Sequence, residues 1–235
     1  MPIRLVRLVR LVRLVRILRS NYTKHPLPIL LGLATLWCLA LLAGRIAFSG
    51  SGQYRFLVWN LFLAFVPLIW SFPLSKKQSR WKFWSCAALW LLFFPNAPYV
   101  VTDLIHLHRK SHPVIPIWYD VGMLSNFACL AMIAGLISLR QIHAVLDQRL
   151  RPPRAAICIG AASFLAGFGI YLGRFLRWNS WDILTRPLQL AADITDRFLN
   201  PMSHPRTWAV TVLFGVTILL LHTFSRATWR LRDAA

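Results

Sequence analysis

The chain contains no glutamate, and its seven acidic residues are all aspartate. Charged residues of either sign make up 14% of it, where a soluble domain carries about 25%. So small a charged fraction excludes an ordinary water-soluble globule and makes lipid the solvent for much of the chain. The four cysteines, Cys38, Cys86, Cys129 and Cys158, form no CxxC pair, and each lies inside an apolar run. They read as small core residues, not as a disulfide frame or a thiolate zinc site. The sequence also lacks a P-loop, a GxGxxG turn behind a strand, a GxSxG elbow and an HExxH pair. Ser163 and Ser180 have no histidine that the sequence alone places beside them.

What the chain has in excess is apolar length. Hydrophobic residues make up 57%, and 11 of the 235 residues are Trp, a side chain that favours the membrane–water boundary. A bilayer core of about 30 Å needs roughly 20 helical residues. Six stretches meet that length, at about 27–48, 55–74, 83–101, 120–140, 155–176 and 207–225. The fold class that follows is all-α, an integral membrane helical bundle of about six transmembrane helices. The third is broken by Pro95 and Pro98, because each proline removes a backbone donor and disfavours α geometry before it. The fifth carries Gly169 and Gly173, a small-xxx-small pair that admits close approach of another helix.

Charge sets the expected orientation. With the N-terminus inside, 18 of the 27 Lys and Arg fall in cytoplasmic segments and five of the seven Asp fall outside. The positive-inside rule then places both termini in the cytoplasm of a cell (inner or plasma) membrane. Residues 1–24 form an Arg-rich cytoplasmic extension and 25–235 a single transmembrane domain. In the extension Arg recurs every third residue from Arg4 to Arg19. Three residues turn 300° on an α-helix, so the six Arg walk around the whole circumference and leave no fixed apolar face. Burying them as a voltage-sensor helix costs roughly 2.5–3.5 kcal/mol each. A polybasic stretch meeting anionic lipids at the surface, or a tail with no specific role, remains. The net charge of +20 is accounted for by headgroups, so no nucleic-acid partner is expected. The expected partners are the bilayer itself, anionic lipids and a second copy of the chain.

Unusual polar residues gather at the outer ends of spans three, four and five. The first group is Phe94–Leu107, FPNAPYVVTDLIHL, with Asn96 in the proline break. If α-helix resumes after Pro98, then Tyr99, Asp103 and His106 share one face at i, i+4 and i+7. The second is Trp118–Asp120. The third is Tyr171–Ile183, YLGRFLRWNSWDI, where Arg174 and Arg177 are one turn apart and Trp178 and Asp182 are at i+4, with Asn179 and Trp181 beside them.

These strings, PNAPY–TDL–H, Trp/Tyr–Asp before a helix and GR–RWNSWD, resemble the signature of a bacterial membrane-protein family catalogued as domain of unknown function 1361. The resemblance covers roughly 27–230 and excludes the Arg repeat. It implies a several-helix integral membrane protein and no known activity or cofactor.

The residues themselves allow several chemistries. Asp103 with His106, His108 and His112, joined by Asp120, offers O and N ligands to a metal, but the spacing matches no zinc pattern. The alternatives are a hydrated helix end, or a proton or ligand role in which Asp103 and His106 are the candidate catalytic pair. Arg174 and Arg177 suit an anion clamp, pairing with Asp103, Asp120 or Asp182, or simple snorkelling. Trp178 and Trp181 suit the boundary belt. Arg45, Asn60 and His222 read as packing hydrogen bonds or snorkelling groups. Apolar positions between 187 and 199 recur at helical spacing, so a short helix is expected on the outer surface between spans five and six, ended by Pro201 and able to cover the site. The candidate ligand residues are thus Asn96, Tyr99, Asp103, His106, Asp120, Arg174, Arg177, Trp178, Asn179 and Asp182. They serve a protein that binds or transports a small or headgroup-like ligand, a membrane-embedded enzyme acting on a lipid-linked or extracytoplasmic substrate, or a structural assembly partner.

Overall fold

A computed structural model describes residues 26–74, 79–108 and 115–233. The Arg-rich extension, Lys76, Lys77 and His112 lie outside the described residues. Those described are helical, with no strand among them. The first two helices are α1 (Pro26–Ser49) and α2 (Phe56–Leu74). The third span begins as α3 (Arg80–Phe93), shortens to α4 (Asn96–Tyr99) and ends as a 3₁₀ segment, Val100–His108. Then come α5 (Ile117–Arg149), α6 (Pro152–Phe175), the single turn α7 (Asp182–Thr185), α8 (Pro187–Leu199) and α9 (Pro205–Asp233). Among the described residues six helical stretches are long and apolar enough to cross a bilayer, so the chain is a multi-pass membrane protein. One end of the bundle carries Pro26 and Asp233 and is called here the terminal end. The opposite end carries the break in the third span and α8 and is called the site end.

The lipid-facing character shows in which side chains are left uncovered. Leu36, Trp37, Phe62, Ile69, Trp84, Leu165, Leu213 and Phe224 are all exposed, spread over five spans. A monomer in water rarely exposes apolar patches beyond a few hundred Å², whereas lipid tails make that arrangement neutral. Between the helices the packing is tight. Leu57, Ala64, Ala97, Phe127 and Ala131 close one core, and Phe94, Leu139, Ile159, Ala166 and Ile218 a second.

The fourth span is longer than its apolar run. Helix α5 has 33 residues, about 50 Å at 1.5 Å each. It passes Arg140 because Ile142, His143 and Val145 remain buried and Gln141 accepts a 2.6 Å hydrogen bond from buried Ser71 on α2. Helix α6 is the hub of the second core. Gly169 meets Pro95 and Gly173 meets Tyr99, so the small-residue pair receives the broken third span. Gly167 instead lies against the α9 backbone at Thr211 and Gly215.

Candidate functional site

The break in the third span organises the site end. Pro95 and Pro98 have no N–H to return to the preceding turn. The chain nevertheless stays right-handed, with Pro95 at φ −57°, ψ −27° and Val100 at φ −58°, ψ −26°. The break is therefore a tightening into 3₁₀ geometry and not a departure from helix. Two carbonyls left short at the break find side-chain donors. Asn96 donates to the Phe93 carbonyl at 2.9 Å, and Ser180 to the Leu92 carbonyl at 3.2 Å. Asn96 also donates to the Ser180 hydroxyl at 3.0 Å, so the PNAPY and RWNSWD strings are stitched together across 84 positions. This is how irregular backbone survives at membrane depth.

The 3₁₀ segment changes the expected face. At three residues per turn Asp103 and His106 fall one above the other, and Tyr99 leaves the shared stripe that an α-helix predicts. Asp103 is buried and ion-pairs with Arg174 of α6. Its second oxygen accepts from Asn60 of α2 at 2.8 Å. Arg174 also donates to Thr102 at 2.8 Å and lies over the Tyr99 ring, 4.3 Å from its centroid. His106 packs against the ring of Phe56 at 4.9 Å. Asp120, the other candidate acid, goes elsewhere. It receives the Arg45 guanidinium at 2.7 and 3.2 Å, wholly buried, and Arg45 sits 4.3 Å above the Tyr54 ring. Arg45 and Asn60, read from sequence as packing hydrogen bonds or snorkelling groups, are thus the partners of Asp120 and Asp103.

Arg174 and Arg177 do not act as a pair on one helical face. Helix α6 ends at Phe175, and Arg177 is left-handed at φ 60°, while the Trp178 N–H closes back on the Leu172 carbonyl at 3.1 Å. Arg177 is exposed and makes no hydrogen bond or ion pair among the described residues. Trp178 and Asp182 also part company, because the chain between them is not helical. The Trp178 indole donates to Asp193 on α8 at 2.7 Å, while Asp182 closes its own loop. It accepts from the Asn179 backbone at 2.7 Å, from Thr185 at 3.0 Å and from Arg186 at 3.1 Å.

Those donors stabilise the carboxylate, the Asn179 backbone N–H most, and hold the Asp182 carboxyl down at about 2 from an ordinary 3.8. A depressed carboxylate contributes stability above its unfolded value and loses it as pH falls through the folded one. The 179–186 loop is therefore expected to stay closed from neutral pH to about 4 and to loosen as pH approaches 2. Fluorescence of Trp178 and Trp181 checks this. Asp182→Asn should already show the loosened signal at pH 7, and a wild-type transition centred above pH 4 would sink the assignment.

Among the described residues no three His, Cys, Asp or Glu side chains gather to hold a metal ion. The side chain of His108 and all of His112 lie outside what is described. What the elements do enclose is a cavity of about 390 Å³, walled by α2, the third span, α6 and the 178–183 loop, and roofed by Leu190, Ile194 and Phe198 of α8. The surface helix predicted between 187 and 199 is present. It is tied down by the Trp178–Asp193 bond and by Phe198, which packs against Phe168 and Trp208 at 5.7 and 5.3 Å. Of the candidate residues, Asn96, Tyr99, Trp178 and Asn179 line the cavity, and Asp103, His106, Asp120, Arg174, Arg177 and Asp182 do not. Asn60, Ser180, Trp59 and Trp181 also line it. Trp59, edge-on to Trp181 at 6.3 Å, carried no signal beyond being one more interfacial Trp.

No curated protein and no solved structure matches the chain. A family model described as "Protein of unknown function (DUF1361)" matches residues 59–221, a stretch that holds the proline break, Asp103, Arg174 and the RWNSWD loop. On that match, which spans more than half of the sequence, the chain belongs to the DUF1361 family.

Proposed function

We propose that this protein binds an uncharged amphiphile carrying hydroxyl groups, in the cavity beneath α8, at the extracytoplasmic end of a cell-membrane bundle. The observation that carries this reading is which polar atoms the cavity walls have left over. Both amide hydrogens of Asn96 are committed, to Phe93 and Ser180, which leaves its carbonyl oxygen. Asn60 must turn its NH₂ to the Asp103 carboxylate, since that group only accepts, which leaves its carbonyl oxygen too. The Tyr99 hydroxyl makes no hydrogen bond among the described residues. Neutral acceptors beside aromatic rings suit a ligand that donates from hydroxyls and lays apolar surface on Trp. An anion is disfavoured, because the Arg174 charge is already met by Asp103. Orientation rests on the excess of Lys and Arg in the segments that join or extend the spans at the terminal end.

The test is a titration of the full chain in detergent with dioleoylglycerol and with monoglucosyl dioleoylglycerol, dioleoyl phosphatidylglycerol serving as the anionic control. The neutral lipids are expected to bind at least tenfold more tightly than the anionic one at this site. Tyr99→Phe should weaken them several-fold, and Leu172→Trp, which fills the cavity, should abolish binding with helicity intact. Equal binding by wild type and Leu172→Trp would overturn the reading. The closed bonding of Asp103, Asn60, Thr102 and Arg174 supports a structural role for those four, in holding the helices in register.

A further inference from the structure

At the terminal end, far along α9 from α8, a second cavity of about 580 Å³ opens between α5, α6 and α9. Its walls are mainly aliphatic, with Ile159 and Leu219 among them, and its polar lining residues are His143, His222, Thr223 and Arg226. The two histidines bridge α5 to α9. Nδ1 of His143 is 2.7 Å from Nε2 of His222, both are buried, and the rings stack at 5.0 Å. Arg226 reaches Nε2 of His143 at 2.5 Å, nearer than its Nδ1 at 2.8 Å, and bonds Asp147 at 3.0 Å.

The proton arrangement follows from what each group can do. A guanidinium only donates, and of the two His143 nitrogens within its reach the nearer, Nε2, is taken as the acceptor. Nδ1 of His143 then carries the hydrogen and donates to Nε2 of His222. That leaves Nδ1 of His222 as an N–H donor, in a side chain 1% exposed, with no partner among the described residues. Every bond in this chain points the same way, from Arg226 to His222, whose side chain lines the cavity, and each polarises the next. Arg140 and Arg226 both act electrostatically on His222, and Asp147 is the acid that offsets them. Arg151 and Arg154 are exposed at the start of α6, next to the cavity-lining Ala156.

We propose that this cavity binds an anionic amphiphile, with an acidic headgroup oxygen accepting from Nδ1 of His222 and a hydrocarbon chain lying against the aliphatic walls. A fatty-acid carboxylate and a phospholipid phosphate both have this chemistry. The site is independent of the one beneath α8 and asks for the opposite headgroup charge.

The full chain in detergent is titrated with oleate and, separately, with dioleoyl phosphatidylglycerol, with dioleoyl phosphatidylcholine and dioleoylglycerol as controls. The variants are His222→Phe, which removes the donor, and Ala156→Trp, which obstructs the cavity from an exposed position and leaves both histidines in place. The expected result is binding of one or both anionic lipids at least tenfold tighter than the controls, and a loss of at least tenfold in each variant. Oleate alone would identify a free carboxylate as the ligand, and the phospholipid alone a phosphodiester. If His222→Phe fails to fold, Ala156→Trp decides. Wild-type affinity in Ala156→Trp, or no preference for the anionic lipids, overturns the proposal. Leu172→Trp in the other cavity should leave this binding unchanged.

Discussion

Asp120→Leu, in a chain that keeps Arg45, is expected to cost about 3–5 kcal/mol of folding stability, the range for breaking a buried ion pair from one side. Arg45 is wholly buried, and its charge is met by both Asp120 oxygens, with Gln53 at 3.4 Å as a weaker partner. Removing the carboxylate strands a guanidinium that can neither lose its proton nor reach water. The Tyr54 ring at 4.3 Å offers only its quadrupole in return, worth about 0.5–2 kcal/mol. The double variant Arg45→Met/Asp120→Leu is expected to regain most of the loss, because apolar groups of similar volume carry no desolvation penalty. Reversible unfolding in mixed micelles, followed by circular dichroism, measures Asp120→Leu, Arg45→Met and the double variant, and the double-mutant cycle isolates the coupling. A single variant within about 1 kcal/mol of wild type would show that water reaches the pair. Tyr54 offers a local reporter. Burial, and after it the Asp120 charge, pushes its phenol above the usual 10, so removing Asp120 should let Tyr54 ionise at lower pH.

That pair also marks the limit of what the sequence discloses. The six spans are legible because lipid selects for apolar length alone, and length survives ignorance of every contact. The break at Pro95 and Pro98 is legible because proline acts locally. Pairings are long-range, and there the reading thins. Arg45 looks like a lone snorkelling residue since its partner lies 75 positions away. Arg174 with Asp103 stands among the expected pairings, since both sit in dense polar strings. Arg177 is different. Only its backbone, at φ 60°, takes it off the helix, and an arginine carries no local signal for that conformation. His143 drew no notice because the fourth span seemed to end at Arg140, and a helix that continues under tertiary support has no marker in hydropathy.

The second large effect comes from two glycines on facing helices. Gly167→Ala is expected to cost about 1–3 kcal/mol, while Gly160→Ala, two turns away on the same helix, should be neutral or gain up to about 1 kcal/mol. A Cβ on Gly167 would stand 2.4 Å from the Thr211 carbonyl oxygen and 3.0 Å from the Gly215 nitrogen, whereas one on Gly160 meets nothing within 4 Å. The atoms opposite Gly167 are backbone, so relief requires α6 and α9 to separate and not a side chain to rotate. Gly215 answers from the other helix, where a Cβ would approach the Phe164 ring at 2.7 Å. Apolar side chains gain nothing from leaving lipid, so close backbone approach between small residues is what holds such a crossing together. The consequences reach both ends of the bundle. Helix α6 carries Arg174 to Asp103, and α9 carries His222 to His143. Opening their crossing should therefore weaken neutral-lipid binding beneath α8 and anionic-lipid binding at the His pair together, where Leu172→Trp and Ala156→Trp each affect one. Unfolding in mixed micelles beside the two lipid titrations measures this. Equal stability of Gly167→Ala and Gly160→Ala would show that the two helices do not cross at Gly167 and Gly215.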